Sequence, residues 1–319
     1  MRFIEREVLR MLRESRGYVS GTDIATALGI SRALVNRIVG RLKSLGFVIE
    51  AHPRKGYALL EIDDLSKAPE YAPKTPVIEY RIHYVERCTS TQDVAEDLAR
   101  AHAPEGTVIV AEEMSCGRGR LGRRWFAPRG GLWFTLILRP GSIERLHLVS
   151  LAAGVAVAET LSEMYSVSAG LKWPNDVLVN ERKLCGILVE AKAEADRVLY
   201  VLLGIGINVN NDLPPDLRER AVTLREVVGR PIPRIELLRG VLISFAKWYA
   251  ALKGRRYRDI VDAWKRYSAT LGKRVRATLV TGEIVEGVAI DVDGYGRLVV
   301  RGDDGSLRYI DAGDIEHLG

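Results

Sequence analysis

Two apolar runs in the middle of the chain, "TVIVAEE" (107–113) and "GGLWFTLIL" (130–138), are too continuous for a surface and read as buried strands. Between them lies "SCGRGRLGRRW", Ser115 to Trp125, which carries Gly117, Gly119 and Gly122 together with Arg118, Arg120, Arg123 and Arg124. Two pieces of core therefore bracket a segment that cannot itself be core. A glycine-rich backbone approaches a ligand closely and turns its N–H groups inward, and guanidinium forks suit phosphate or carboxylate. Such a segment can be disordered when empty and clamp on an anion when full. A solvated basic turn or a nucleic-acid patch has the same composition, so the segment alone leaves these readings level.

The length of 319 residues exceeds one ordinary core and implies two or three domains. Residues 1–63 show helical periodicity and end in an extended piece. "DDLSKAPEYAPKTP" then has linker composition, with three prolines and little apolar content, and sets a linker at 64–76. Over 77–268, β-rich runs alternate with helical ones. Residues 269–319 are short strands broken by glycine turns, the pattern of a small barrel. The fold class is α+β: a helical N-terminal module, a central mixed α/β domain and a C-terminal barrel. Cys88, Cys116 and Cys185 form no C-x-x-C pair, which argues for a reducing compartment and against structural zinc. With no signal-like segment and no run of transmembrane length, the expected location is cytoplasmic. Gln92 is the only glutamine, a depletion that fits a hot-growing source.

Charge is placed unevenly. Residues 1–58 hold eleven basic and five acidic side chains, an excess equal to the +6 of the whole chain, which points to a polyanion partner for that module alone. "FIEREVLRMLRE" reads as an amphipathic helix, and "SGTDIATALG" as a second one that stops at Gly29. A third follows at once, with Ser31 as its cap and Leu34, Ile38, Leu42 and Leu45 on its buried face. Arg32, Asn36, Arg37 and Arg41 occupy the other face. "FVIEAHPRKGYALLE" then forms a hairpin with Arg54 and Lys55 at its tip. Helix, turn, helix and wing in order favour DNA binding over a merely solvated basic face. Arg and Asn can read base edges, while Arg54 and Lys55 would reach phosphate.

The second constellation is "GLKWPNDVLVNERKLCGILVE". Residues 177–179 and 183–190 read as strands joined at Asn180-Glu181. A two-residue loop pairs Lys183 with Leu178 and puts it on the sheet face of Asp176, a diagonal of roughly 7–8 Å. An ammonium beside a carboxylate suits a nucleotide and its magnesium; a structural ion pair is the rival reading. "LYVLLGIGINVNN" runs into Gly204, Gly206 and Asn208 but lacks the third glycine and helix of a dinucleotide fingerprint.

With "ERCTSTQDVA", "GRGRLGRRW", "KWPNDVLV", "RKLCGILVE" and "GIGINVN" in that order and spacing, the chain resembles biotin–protein ligases; with the helix-turn-helix included, it resembles the bifunctional ligases that also repress biotin genes. The resemblance implies a winged helix-turn-helix, a central ligase domain and an SH3-like C-terminal barrel. It implies formation of biotinyl-5′-AMP from biotin and ATP, with Mg²⁺, and transfer of biotin to a lysine of a carrier domain. It implies too a homodimer that binds operator DNA with the adenylate as corepressor, and no membrane partner.

Carried over position by position, Ser90, Thr91 and Gln92 would meet the biotin ureido group. Arg118, Gly119 and Arg120 would close on the biotin carboxyl and phosphate, within a loop that orders over the adenylate and excludes water. Lys183 would bind the reacting oxygens, and Lys172, Asn175, Asp176 and Asn208 would serve the nucleotide, with Asp176 towards the metal. Trp125 would pack beside the adenylate. One departure stands out: Met114 occupies the place of the family's usual glutamine, and a thioether cannot donate to the ureido oxygen. A lipoate–protein ligase, and a ligand-sensing transcription factor without ligase activity, are the competing readings.

Overall fold

The computed structural model describes residues 1–140, 145–194 and 197–318. The chain opens with α1 (Phe3–Glu14), α2 (Gly21–Leu28) and α3 (Arg32–Leu45), followed by the hairpin β1 (Ile49–His52) and β2 (Gly56–Leu59). The Ser20 hydroxyl accepts the Asp23 N–H at 3.0 Å and the Ser31 hydroxyl that of Leu34 at 3.1 Å, so both helices start on side-chain caps. Gly29 ends α2 at a φ of 63°. The buried seam of α3 is Val35, Ile38, Val39, Leu42 and Leu45. Leu34, expected in that seam, is only half-buried, because Val35 and Val39 turn the stripe by one position.

Next come β3 (Arg81–Cys88), α4 (Thr91–Arg100), β4 (Thr107–Arg118), β5 (Arg124–Ala127) and β6 (Leu132–Leu138). They are followed by α5 (His147–Tyr165), β7 (Gly170–Lys172), β8 (Asp176–Val179), β9 (Arg182–Glu194) and β10 (Arg197–Ile207). The helices α6 (Leu224–Val228), α7 (Arg234–Lys253) and α8 (Tyr257–Tyr267) complete the domain. The strands form one sheet in the order β3-β4-β6-β10-β9-β8-β7, with β5 beside β4. Among the described residues of this sheet, β3 and β4 are the one parallel pair of strands.

The period of two sorts this sheet into two unlike faces. Val108, Val110, Leu136, Leu138, Val201 and Leu203 share the large core with α5, α7 and α8. Helix α5 is apolar almost all round. By length and composition it could cross a membrane, but 13 of its 19 residues are buried inside the domain. On the opposite face Ile109, Ile137 and Leu202 pack on Ala95 and Ala99 of α4. That cover stops at the N-terminus of α4, where the next outward positions of β10 are Gly204 and Gly206. The sheet is bare there.

The segment 64–76 is not the free linker its composition suggests. Residues Leu65–Tyr71 make a 3-10 turn that buries Leu65 and Ala68 in the central core. Its few apolar side chains are spaced to dock. The winged-helix module is seated as firmly: a Cβ on Gly46, at a φ of 117°, would lie 2.6 Å from the Gly240 nitrogen. The Arg239 Nε donates to the Gly46 carbonyl at 3.0 Å, and the Val48 N–H donates to the Glu236 carboxyl at 3.3 Å.

The C-terminal strands are β11 (Arg274–Leu279), β12 (Ile284–Val292), β13 (Leu298–Arg301), β14 (Leu307–Ile310) and β15 (Gly313–Leu318), in the order β14-β13-β12-β11-β15. Among the described residues no ladder joins β14 to β15, so the expected barrel is not closed by hydrogen bonds. Yet only residues 311 and 312 separate these two edge strands. A flat five-stranded sheet would hold its edges about 19 Å apart, further than so short a connection reaches. The sheet therefore curls into the small-barrel shape. It is fastened to the central domain by the Trp173 indole N–H, which donates to the Gly296 carbonyl at 2.9 Å, and by the Ala269 N–H to Leu171.

Burial pushes the Glu236 carboxyl up to about 8, against a weaker opposing effect of the Val48 N–H. A carboxyl with a raised pKa in the fold stabilises most below its unfolded value and loses that contribution as pH rises towards 8. Glu236→Gln keeps the shape without the titration. Thermal melts from pH 5 to 9 should therefore show wild type losing stability relative to the variant as pH rises, by a few kcal/mol at most (~1.4 per pH unit).

Candidate active site

Every candidate ligand residue named from the sequence lines one cleft of about 350 Å³ on the bare end of the sheet: Ser90, Thr91, Gln92, Met114, Arg118, Gly119, Arg120, Trp125, Lys172, Asn175, Asp176, Lys183 and Asn208. Gly186, Gly204 and Gly206 are its floor. A Cβ on Gly206 would lie 2.8 Å from the Trp125 indole nitrogen, and one on Gly186 2.9 Å from the same ring. A Cβ on Gly204 would meet the Gln92 carbonyl oxygen at 3.0 Å. The indole of Trp125 and the amide of Gln92 thus lie flat on backbone.

The Lys183–Asp176 pair forms as the strand spacing predicts. Asn180 and Glu181 both take positive φ (50° and 62°), the two-residue turn that matches strand twist. Leu178 pairs with Lys183, and a bulge at Leu184 then brings Val177 opposite Cys185. Lys183 Nζ lies 2.7 Å from Asp176 Oδ1 and 5.2 Å from the Trp125 ring centroid. Lys172 is directly opposite Asp176 on β7. Burial, and then Lys183 against the pull of Asp176, hold the Lys172 ammonium below its ordinary pKa. Two ammonium groups and one carboxylate at this end of the cleft form an anion site with net positive charge. Asn175 and Asn208 line it but are engaged in holding backbone and neighbours: Asn175 Nδ2 donates to the Ile187 carbonyl at 2.8 Å, and Asn208 Oδ1 accepts from Asn211 at 3.3 Å.

The arginine segment, expected as a loop, is mostly hairpin. β4 continues to Arg118, with Gly117 opposite Trp125 and Arg118 opposite Arg124. Gly117 is required there, since a Cβ would lie 2.6 Å from the Trp125 carbonyl oxygen. All four arginines have protein partners. Arg118 bridges Asp93 at 2.9 Å and Glu190 at 3.1 Å. Arg120 donates to Asn175 Oδ1 at 3.3 Å and to the Gly313 carbonyl at 3.2 Å, and burial lowers its pKa. Arg123 pairs with Asp314, and Arg124 donates to the Ser115 carbonyl at 2.9 Å. The C-terminal sheet therefore forms part of the cleft wall. Sequence reading missed its contribution, as it missed Asp93 and Glu190; the step of two from Gly186 through Leu188 to Glu190 along β9 was the available signal.

At the other end, Ser90 caps α4 and accepts the Gln92 N–H at 3.3 Å. The Thr91 hydroxyl accepts from Thr135 at 2.9 Å. Met114 Sδ receives the Thr91 N–H at 3.2 Å, so the sulfur is occupied in holding the turn.

The basic N-terminal face is formed as expected by Arg32, Asn36, Arg37, Arg54 and Lys55, all exposed. Arg41 departs from it. Its guanidinium lies 3.4 Å from Glu163 of α5, because nine residues along a helix of 3.6 per turn rotate it half a revolution from Arg32 and towards the central domain.

Three family models match the chain: "Biotin/lipoate A/B protein ligase family" over residues 84–208, "Biotin protein ligase C terminal domain" over 270–318 and "HTH domain" over 5–58. The class is thus a biotin/lipoate-type ligase that carries a helix-turn-helix. Among curated relatives, the bifunctional ligase/repressor BirA of Bacillus subtilis is 36% identical over 306 residues, 94% of either chain. The biotin–[acetyl-CoA-carboxylase] ligase of Paracoccus denitrificans is 34% identical over 66% of this chain and 91% of its own. The Aquifex aeolicus biotin protein ligase, solved with biotin and ATP, superposes with a TM-score of 0.66 at 30% identity, over 74% of this chain and 97% of that one. The chain belongs to the biotin protein ligase family, in its bifunctional ligase/repressor branch.

Arg120 ties the hairpin tip to two domains at once, whereas Leu121 beside it is exposed. Limited trypsin digestion should cut Arg120→Ala within residues 117–125 several-fold faster than wild type, and Leu121→Ala no faster. Equal rates for all three would show that the tip is held by something else.

Proposed function

We propose that this chain joins biotin to ATP as biotinyl-5′-AMP, passes the biotinyl group to a lysine of a carrier domain, and represses biotin genes through its winged helix. The observation that carries the reading is one cleft with a polar end at Ser90–Gln92 and a cationic end at Lys172 and Lys183, roofed by the arginine hairpin. In the first step the biotin carboxylate attacks the α-phosphate and pyrophosphate leaves; in the second the lysine amine attacks the acyl carbon and AMP leaves. Two anions must meet in the first step. Lys183, with Arg118 or Arg120, reduces their repulsion, and the roof keeps water from the anhydride.

No covalent nucleophile on the enzyme is required. Among the described residues no three metal-ligating side chains cluster, and Mg²⁺ typically needs only one or two carboxylates when phosphates supply the rest. Asp176 would hold it, and the ion would neutralise charge on the transferring group. ATP, carrier and operator meet in the cytoplasm, the compartment that three unpaired cysteines favour. Residues 1–63 are assigned to DNA, 77–268 to catalysis, and 269–319 to closing the cleft.

Lys183→Ala should slow biotin-dependent pyrophosphate exchange roughly a hundredfold, the loss of one oxyanion-type donor. Exchange at the wild-type rate would remove Lys183 from the chemistry, and exchange driven by lipoate instead of biotin would overturn the substrate.

For DNA, one helix-turn-helix contacts few bases, so specific binding calls for a homodimer on a two-fold site, with the adenylate as corepressor. In footprinting upstream of biotin genes, Arg37→Ala should weaken protection of the specific site. Arg54→Ala should weaken all sequences alike and lower the salt slope by about one. No protected site with or without the adenylate would end the repressor reading.

A further inference from the structure

The turn at the tip of the wing is closed by a side chain and not by backbone. Strands β1 and β2 pair His52 with Gly56, which leaves a loop of three residues, Pro53, Arg54 and Lys55. Proline has no N–H, so the loop has two. Neither finds a backbone acceptor among the described residues. Both go to one atom: His52 Nδ1 accepts the Arg54 N–H and the Lys55 N–H, each at 3.2 Å. A ring nitrogen that accepts carries no proton, so these two contacts assign the Nε2–H tautomer.

The base of the wing is fixed without His52. Val19 and Tyr57 exchange N–H···O bonds at 2.9 Å, and a Cβ on Gly56 would collide with the Val19 carbonyl. The Tyr57 hydroxyl donates to Asn36 Oδ1 on α3 at 3.4 Å. The hairpin is thus registered to α3 as far as Gly56, and only the tip depends on its own side chains. The ring that holds the tip is itself held. It stands edge-on to Tyr18 with centroids 5.8 Å apart, and the Tyr18 hydroxyl donates to Glu50 at 2.7 Å. Lys55 Nζ lies 5.6 Å from the centroid of the same Tyr18 ring.

Resting on the DNA reading of the winged helix, we propose that His52 is the positioning residue of the wing: by accepting both tip N–H groups it fixes Arg54 and Lys55 in one arrangement, ready for phosphate before DNA arrives. Its contribution is order, not charge. A loop without this acceptor must be ordered on binding, and fixing backbone costs free energy residue by residue. Asparagine is the usual residue for such a turn, since its side-chain oxygen bonds the backbone two residues on. The Nδ1 of His52 stands at the equivalent place in its side chain.

Binding of the full chain to a long mixed-sequence DNA duplex, followed by fluorescence anisotropy over a range of salt, separates order from contact. His52→Phe keeps a ring against Tyr18 and lacks the acceptor, whereas His52→Asn lacks the ring and keeps the acceptor. His52→Phe should bind about tenfold more weakly with an unchanged salt slope, because the same phosphates are neutralised and only the cost of ordering is added. His52→Asn should bind as wild type does. In a chain that already carries Arg54→Ala and Lys55→Ala, His52→Phe should cost nothing further. The proposal is overturned if His52→Asn is as weak as His52→Phe, or if the loss persists without Arg54 and Lys55. A slope that falls together with affinity would make His52 a phosphate contact and overturn it too. Should His52→Phe fail to fold, His52→Ala makes the same comparison. Wild type that binds no duplex at low salt would sink the DNA reading itself, a result distinct from these.

Discussion

What the molecule does with its central sheet depends on having nothing there. One face is filled by α5, α7 and α8, so the strands are rigid. The other is covered by α4 only as far as Ser90, and beyond it Gly186, Gly204 and Gly206 present bare backbone. A single methyl group at any of the three would displace Trp125 or Gln92. The cleft is thus a gap in the packing, held open because both the floor and the layer beneath it cannot yield.

Around that gap several of the charges are paired with one another. Lys183 faces Asp176, Arg118 faces Asp93 and Glu190, and Arg123 faces Asp314. At these positions an incoming anion must exchange with the carboxylates, whereas Arg120 and Arg124 are held only by neutral oxygens. The arrangement keeps like charges from repelling in the empty cleft, and it makes binding a competition whose outcome depends on how well the ligand's own oxygens are placed.

The fold and much of the site were legible in the sequence because they are local. Caps at Ser20 and Ser31, the glycine stop at Gly29 and the turn at Asn180-Glu181 are short-range chemistry, and the diagonal of Lys183 to Asp176 follows from counting along two strands. Three things were not. Residues 64–76 read as a linker because composition does not reveal that Leu65 and Ala68 find a core made by distant helices. Arg41 read as part of the Arg32 face although counting nine residues turns it away, and its pairing with Glu163 of α5 was not visible in the sequence. The role of Gly313 and Asp314 in holding the arginine hairpin requires knowing how the C-terminal sheet is hung on Trp173 and Thr270. In each case the missing information was a long-range contact.

The facing pair Gly46 and Gly240 has a mechanical consequence. With backbone against backbone there is no side chain to flex, so the junction behaves as a clamp and not as a hinge. The winged-helix module is therefore coupled to α7 as one body, and a tilt of α7 would be carried through Gly46 to the hairpin that bears the exposed Arg54.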